Sequence, residues 1–128
     1  MEVDKIKEMY IKYKLKKTDL FKHAHYIILK RSAVEKIMAI ENIKIFYEVI
    51  KCEPNFAVIK ATAQKGNKVI ETFGSALKGT SYKDGNTQSF YTMELAEKRS
   101  LSRSVLKICN LYELGVFGED ESEEFKQK

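Results

Sequence analysis

The sequence has no tryptophan, one proline, two histidines and two cysteines, and each scarcity narrows what the chain can be. Cys52 and Cys109 are too few and too far apart for a disulfide framework or for the paired thiols of a zinc or redox site. So little proline excludes the collagen-like and proline-rich disordered classes. No apolar run approaches the roughly 20 residues of a membrane helix; Tyr26-Ile27-Ile28-Leu29 is typical of the longest. The opening MEVDKIKEMY is charged from its second residue and has no apolar stretch, so no secretory leader, no membrane association and a cytoplasmic location are expected. His23 and His25 would share a face if they lay on one strand. No third ligand sits near them, however, and a stable zinc site needs three or four. A structural role is therefore expected, with no metal and no cofactor. No serine or cysteine has an evident oriented base, so no nucleophilic centre is expected either. Glu94 and Glu97 lie three apart, but Glu94 is equally placed to pair with Lys98. The reading is a chain without catalytic residues, not an enzyme.

What the chain does have is charge, unevenly placed. The net charge is +5 over 128 residues. Residues 119–128 hold five acids and two lysines, a net of −3, which leaves residues 1–118 with 21 bases and 13 acids, a net of +8. A basic body suits a polyanionic partner. The expected organisation is one domain over 1–118 followed by an acidic tail over 119–128.

Ile6, Met9, Tyr10 and Tyr13 follow helical spacing and predict an amphipathic helix over 4–14, with Thr18 and Asp19 capping a short turn beyond it. Tyr26–Leu29 reads as a short strand or an apolar loop. Ser32 and Glu35 have capping-box spacing ahead of a helix over 32–42. Ile43, Ile45, Tyr47 and Val49 alternate, as do Ala57, Ile59, Ala61 and Ala63. With turns at Glu53-Pro54-Asn55 and Gly66-Asn67, these runs predict strands near 43–52, 56–65 and 68–77. From about Ser89 to Tyr112 there is neither glycine nor proline, which predicts a long final helix with Leu101, Val105, Ile108 and Tyr112 as its core stripe. The fold class expected is α+β: short N-terminal helices, a three-stranded antiparallel meander, and a long C-terminal helix packed on the sheet.

Gly74-Ser75-Ala76-Leu77-Lys78-Gly79 has the glycine spacing of a phosphate loop but lacks the lysine and hydroxyl that must follow the second glycine, so ATP binding is not expected. The stronger signal lies on the final helix. Arg99, Arg103 and Lys107 recur at i, i+4 and i+8, and positions 95, 96, 100 and 104 are Leu, Ala, Ser and Ser. Like charges at that spacing repel by a few tenths of a kcal/mol per pair. With no acid beside them, phosphates would complete the stripe, Ser100 and Ser104 donating alongside. Lys78, Tyr82 and Lys83 in the polar stretch 77–88 would extend a binding groove, since a tyrosine ring can stack on an unpaired base.

The block from Met93 to Lys107, ending in Gly115-Val-Phe-Gly-Glu-Asp-Glu121, resembles the closing helix of single-strand DNA annealing proteins of the Rad fifty-two superfamily, notably small phage-encoded members. The likeness spans about 90 residues, Ser32 to Glu121, and its last third carries the motif. Ser100 and Ser104 replace the usual alanines, and the helix is expected to run on through Asn110-Leu111-Tyr112. The resemblance implies a homo-oligomeric ring or filament that holds single-stranded DNA in a basic groove, bases outward, and anneals strands without ATP. It matches the family's basic positions to Lys98, Arg99, Arg103 and Lys107. Lys30, Arg31 and Lys78 join them from charge and placement. Two other readings stand beside it: an oligomeric protein-interaction module with the acidic tail as docking element, and a double-stranded RNA-binding domain, which also combines a three-stranded sheet with helices. The tail is further expected to fold back on the basic stripe.

Overall fold

The computed structural model describes residues 2–79, 85–87 and 91–121, without the side chains of 2–4 and 121. Helix α1 (Glu2–Lys12) and a 3-10 turn (Lys17–Asp19) lead into a hairpin of β1 (Leu20–His23) and β2 (Tyr26–Leu29). Helix α2 (Arg31–Glu41) precedes a meander of β3 (Lys44–Glu53), β4 (Phe56–Lys65) and β5 (Lys68–Leu77). Helix α3 (Thr92–Ile108) follows, then a 3-10 turn (Tyr112–Leu114), the short strand β6 (Val116–Gly118) and a last 3-10 turn (Glu119–Glu121).

The chain is α+β, and the meander with α3 packed on it is present, but it is one of two sheets. The second runs β1-β2-β6, with β6 parallel to β2 in the register Ile27↔Val116 and Leu29↔Gly118. This corrects the expectation of a single sheet. A three-residue strand paired across almost ninety positions leaves no local period to detect.

Helix α3 lies between the sheets. Thr72 of β5 donates to the Ser100 carbonyl at 2.9 Å, whereas a side chain at Gly118 of β6 would strike Ser102. Positions 100 and 102 differ by about 200° around a helix, so these contacts lie on opposite sides. Ala96, Ser100, Ser102 and Ser104 are all fully buried. Small residues are needed at 96 and 100 because the helix rides close on Ala57, Gly74 and Ala76 of the meander, and at 102 because Gly118 of β6 lies against the opposite side. Ile28, Leu29, Val34, Ile37, Val105, Leu106, Ile108 and Val116 are fully buried around it. The helix is shorter than expected, 17 residues or roughly 25 Å. It does not run through Tyr112, because Asn110 turns left-handed at φ 59° and redirects the chain.

Two polar hubs lock the N-terminal elements on this core. Glu41, at the end of α2, accepts from the Tyr13 hydroxyl and pairs with Lys12 at 2.8 Å and Lys65 at 3.5 Å. Burial pushes its carboxyl up, but the hydrogen bonds from Lys12 and Tyr13 outweigh that and hold it below the usual range. Asp19, 3% exposed, accepts from Ser32 Oγ and Lys36 Nζ, each at 2.6 Å, and from the Lys16 amide at 2.8 Å. Ser32 therefore serves Asp19 rather than the expected capping box, and Lys30 takes the N-cap position of α2.

The hydrogen bonds from Lys36, Ser32 and the Lys16 amide lower the Asp19 carboxyl from 3.8 to about 2. Because its folded value is depressed, its contribution is complete above pH 3.8 and is lost as pH falls toward 2. That contribution is about 2 kcal/mol. Asp19→Asn should thus lower stability by about that amount at neutral pH and flatten the acid limb of a urea-midpoint-against-pH curve. An unaltered acid limb would rule out this role.

Candidate nucleic-acid interface

Strand β5 is an edge of the meander, and an edge strand carries backbone groups that no neighbouring strand satisfies. Two arginines of α3 answer them. Arg99 Nη1 donates to the Ser75 carbonyl at 2.7 Å and to Asn86 Oδ1 at 3.3 Å. Its Nη2 donates to the Asn86 carbonyl at 3.2 Å, and its Nε to the Asp120 carbonyl at 3.1 Å. Arg103 Nη1 donates to the Phe73 carbonyl at 2.9 Å. Asn86 closes the far end of the edge, accepting from the Leu77 amide at 2.7 Å through Oδ1 and donating its own amide to the Leu77 carbonyl at 2.9 Å.

These contacts redraw the expected stripe. Arg99 is only 5% exposed, so it is a structural residue and not a phosphate ligand. Ser100 and Ser104 are buried and donate to the Glu97 and Leu101 carbonyls, both at 2.9 Å, so neither is placed to assist a phosphate. Carbonyl oxygens supply at Arg99 the negative partner that the missing acids had suggested a ligand would supply.

Arg103 and Lys107 remain exposed. They wall a groove of about 490 Å³ whose other walls are Glu71, Thr72, Phe73 and Tyr112. Phe73 is 51% exposed, and Tyr112, expected in the core, packs half-buried against it, its ring 5.6 Å from that of Phe117, while also lining the groove from beyond the end of α3. Lys68, at the start of β5, donates to the Ile108 carbonyl at 3.0 Å. There it also opposes the negative end of the helix. The one acid of the groove, Glu71, is engaged by Lys60 at 2.8 Å. Phe73 and Tyr112 are groove residues that the linear pattern did not single out; the exposed-face alternation of β5 was the available signal for Phe73.

The remaining expected site residues do not join this groove. Lys98 is exposed about 140° around the helix from Arg103. Lys78, a half-exposed residue, lies five residues along β5 from Phe73, roughly 16 Å away; its amide donates to the Asn55 carbonyl at 2.7 Å. Arg31 donates to Glu35 at 3.3 Å, and its Nη1 is buried without a hydrogen-bond partner. It lies close enough to Tyr47 to oppose the upward push that burial, then Glu97, exerts on that phenol. Lys30 adjoins it as the α2 cap. Tyr82 and Lys83 fall outside the described residues.

The start of the acidic segment belongs to the fold. Asp120 accepts from Ser102 Oγ at 3.0 Å as well as from Arg99, so Glu119–Glu121 packs on α3, and residues 122–128 lie outside the described part. His25 sits in the β1–β2 turn rather than on a strand, its ring 4.2 Å from that of Tyr26. Among the described residues no three His, Cys, Asp or Glu side chains gather as a metal would require, and no helix is long and apolar enough to cross a membrane. In comparisons with known proteins, the chain matches no family model, no curated protein and no solved structure.

Proposed function

We propose that the chain binds single-stranded nucleic acid, DNA by the resemblance, along the β5–α3 groove and promotes strand annealing without catalysis. One observation carries the reading: two exposed cations and two aromatic rings face one another across a single open groove. Arg103 and Lys107 neutralise consecutive phosphates, while Phe73 and Tyr112 offer ring faces to unpaired bases. Stacking on such rings is indifferent to sequence, as an annealing protein requires. Bases beyond the rings stay open to a complementary strand, and pairing supplies the driving force.

Backbone binding of this kind is salt-dependent, each phosphate contact on a single strand adding about 0.7 to the negative slope of log K against log salt. Arg103→Ala with Lys107→Ala should therefore flatten the slope by roughly 1 to 1.5 while the circular dichroism spectrum is retained. An unchanged slope with the fold intact would take the groove out of the function.

A second reading, assembly through the sheet, is favoured by β3. This outer strand leaves Phe46, Tyr47, Val49 and Ile50 between 44% and 57% exposed, whereas β5 has its edge covered. Gel filtration with and without an oligonucleotide separates the readings: a large assembly indifferent to the strand favours a pure interaction module.

A further inference from the structure

Helix α1 and the β1–β2 hairpin enclose a second depression. It has two adjoining parts of about 370 and 350 Å³, and Tyr10 and Lys22 stand in the walls of both. Volumes of this order accommodate a small ligand. Lys7, Lys16, Lys17 and Lys22 rim it, all exposed, and among the described residues no carboxylate lines either part. Lys12, Lys36 and Lys60, by contrast, each lie within 2.8 Å of a carboxylate oxygen. The rest of the lining is apolar and aromatic: Ile6, Leu15, Leu20 and Ile27, with the rings of Tyr10 and His25. The turn that carries His25 holds Ala24 at φ 55°, a left-handed conformation that an alanine adopts only at a cost.

We propose that this depression is a site for one nucleotide unit, its base on the apolar lining beside Tyr10 and His25 and its phosphate among the lysines. Each half of the lining excludes a simpler ligand. A bare anion leaves the apolar surface wet, and an apolar molecule leaves four cations unmatched. A planar base joined to a phosphate satisfies both. The site lies apart from the β5–α3 groove and stands or falls independently of it. Its nucleotide can come from a free pool or from a nucleic-acid strand.

The test is chemical-shift mapping on the full chain at constant ionic strength. Adenosine 5′-monophosphate, adenosine, pyrophosphate and a thymidine tetranucleotide are titrated separately. The monophosphate should move amides of residues 6–10 and 22–25 saturably, and adenosine and pyrophosphate should each bind about tenfold more weakly or worse. Lys16→Gln with Lys22→Gln should weaken the monophosphate about tenfold. Tyr10→Leu, which keeps the apolar bulk, should weaken it about threefold with the remaining spectrum retained. A tetranucleotide that binds the same amides about tenfold more tightly supports the site with a strand as source, and one that binds no better supports it with free nucleotide as source. Pyrophosphate equal to the monophosphate, shifts centred on Phe73 and Lys107, or no saturation at millimolar ligand would overturn the proposal.

Discussion

Arg99→Ala should lower the stability of the fold by about 3–5 kcal/mol, while Arg103→Ala, only four residues away on the same helix, should cost under about 1 kcal/mol. The two arginines would be interchangeable in a solvated stripe. Here Arg99 is 5% exposed and its guanidinium bridges three segments: Ser75 on β5, Asn86 in the following loop and Asp120 after β6. Removing it takes charge-assisted bonds of about 1.5–3 kcal/mol each from the Ser75, Asn86 and Asp120 carbonyls, with partial relief because the Ser75 carbonyl keeps the Asn86 side-chain amide at 3.3 Å and water reaches the exposed Asn86. The Arg103 bond to the Phe73 carbonyl is exposed, and water can replace it. Urea denaturation of both variants, at a salt concentration that screens surface charge, makes the comparison. Equal and small losses would show that the Arg99 contacts contribute little. Any loss of nucleic-acid binding by an Arg99 variant should track unfolding, whereas the Arg103 and Lys107 variants should lose binding as folded proteins.

Gly74→Ala should destabilise by about 3 kcal/mol or more, and Gly66→Ala by about 1 kcal/mol. The contrast separates the two reasons a strand uses glycine. Gly66 opens the β4–β5 turn at φ 60°, a conformation strained for alanine, yet nothing lies within 4 Å of the methyl it would gain. At Gly74 the added carbon would stand 2.3 Å from the Ala96 carbonyl oxygen and 2.4 Å from the Ser100 amide nitrogen. Both obstacles are backbone of α3, so no side-chain rotation relieves the contact and the helix itself must rise from the sheet. That movement loosens Thr72 from the Ser100 carbonyl and draws Arg99 and Arg103 off the β5 edge. The Gly74 variant should show a lower thermal midpoint and faster amide exchange along α3 and β5. If it matched the Gly66 variant instead, the close approach of helix and sheet would not be what makes glycine necessary.

The same contacts explain what was legible in the chain and what was not. Both meander turns depend on local chemistry, Pro54 setting φ in one and Gly66 supplying positive φ in the other, and β4 alternates along most of its length, β5 does so in its second half, and β3 is exposed almost throughout. Asn42 ends α2 in the left-handed conformation that asparagine tolerates. Such signals lie within a few positions of the residues they govern. Strand β6 gave no such signal, because Val116–Gly118 becomes a strand only by lying beside β2.

The candidate site divides along the same line. The sequence by itself determined that Arg99, Arg103 and Lys107 share one side of a helix, since a period of about 3.6 residues is a property of the backbone. It also determined that no acid on that helix stands between them. Tertiary structure alone decided that Arg99 is spent on the edge of β5 and that Phe73 and Tyr112 meet Arg103 and Lys107 across a groove. The reason is physical: an edge strand's unsatisfied carbonyls are as strong a partner for a guanidinium as a ligand's oxygen, and which strand ends at an edge is set by packing between residues far apart in the chain.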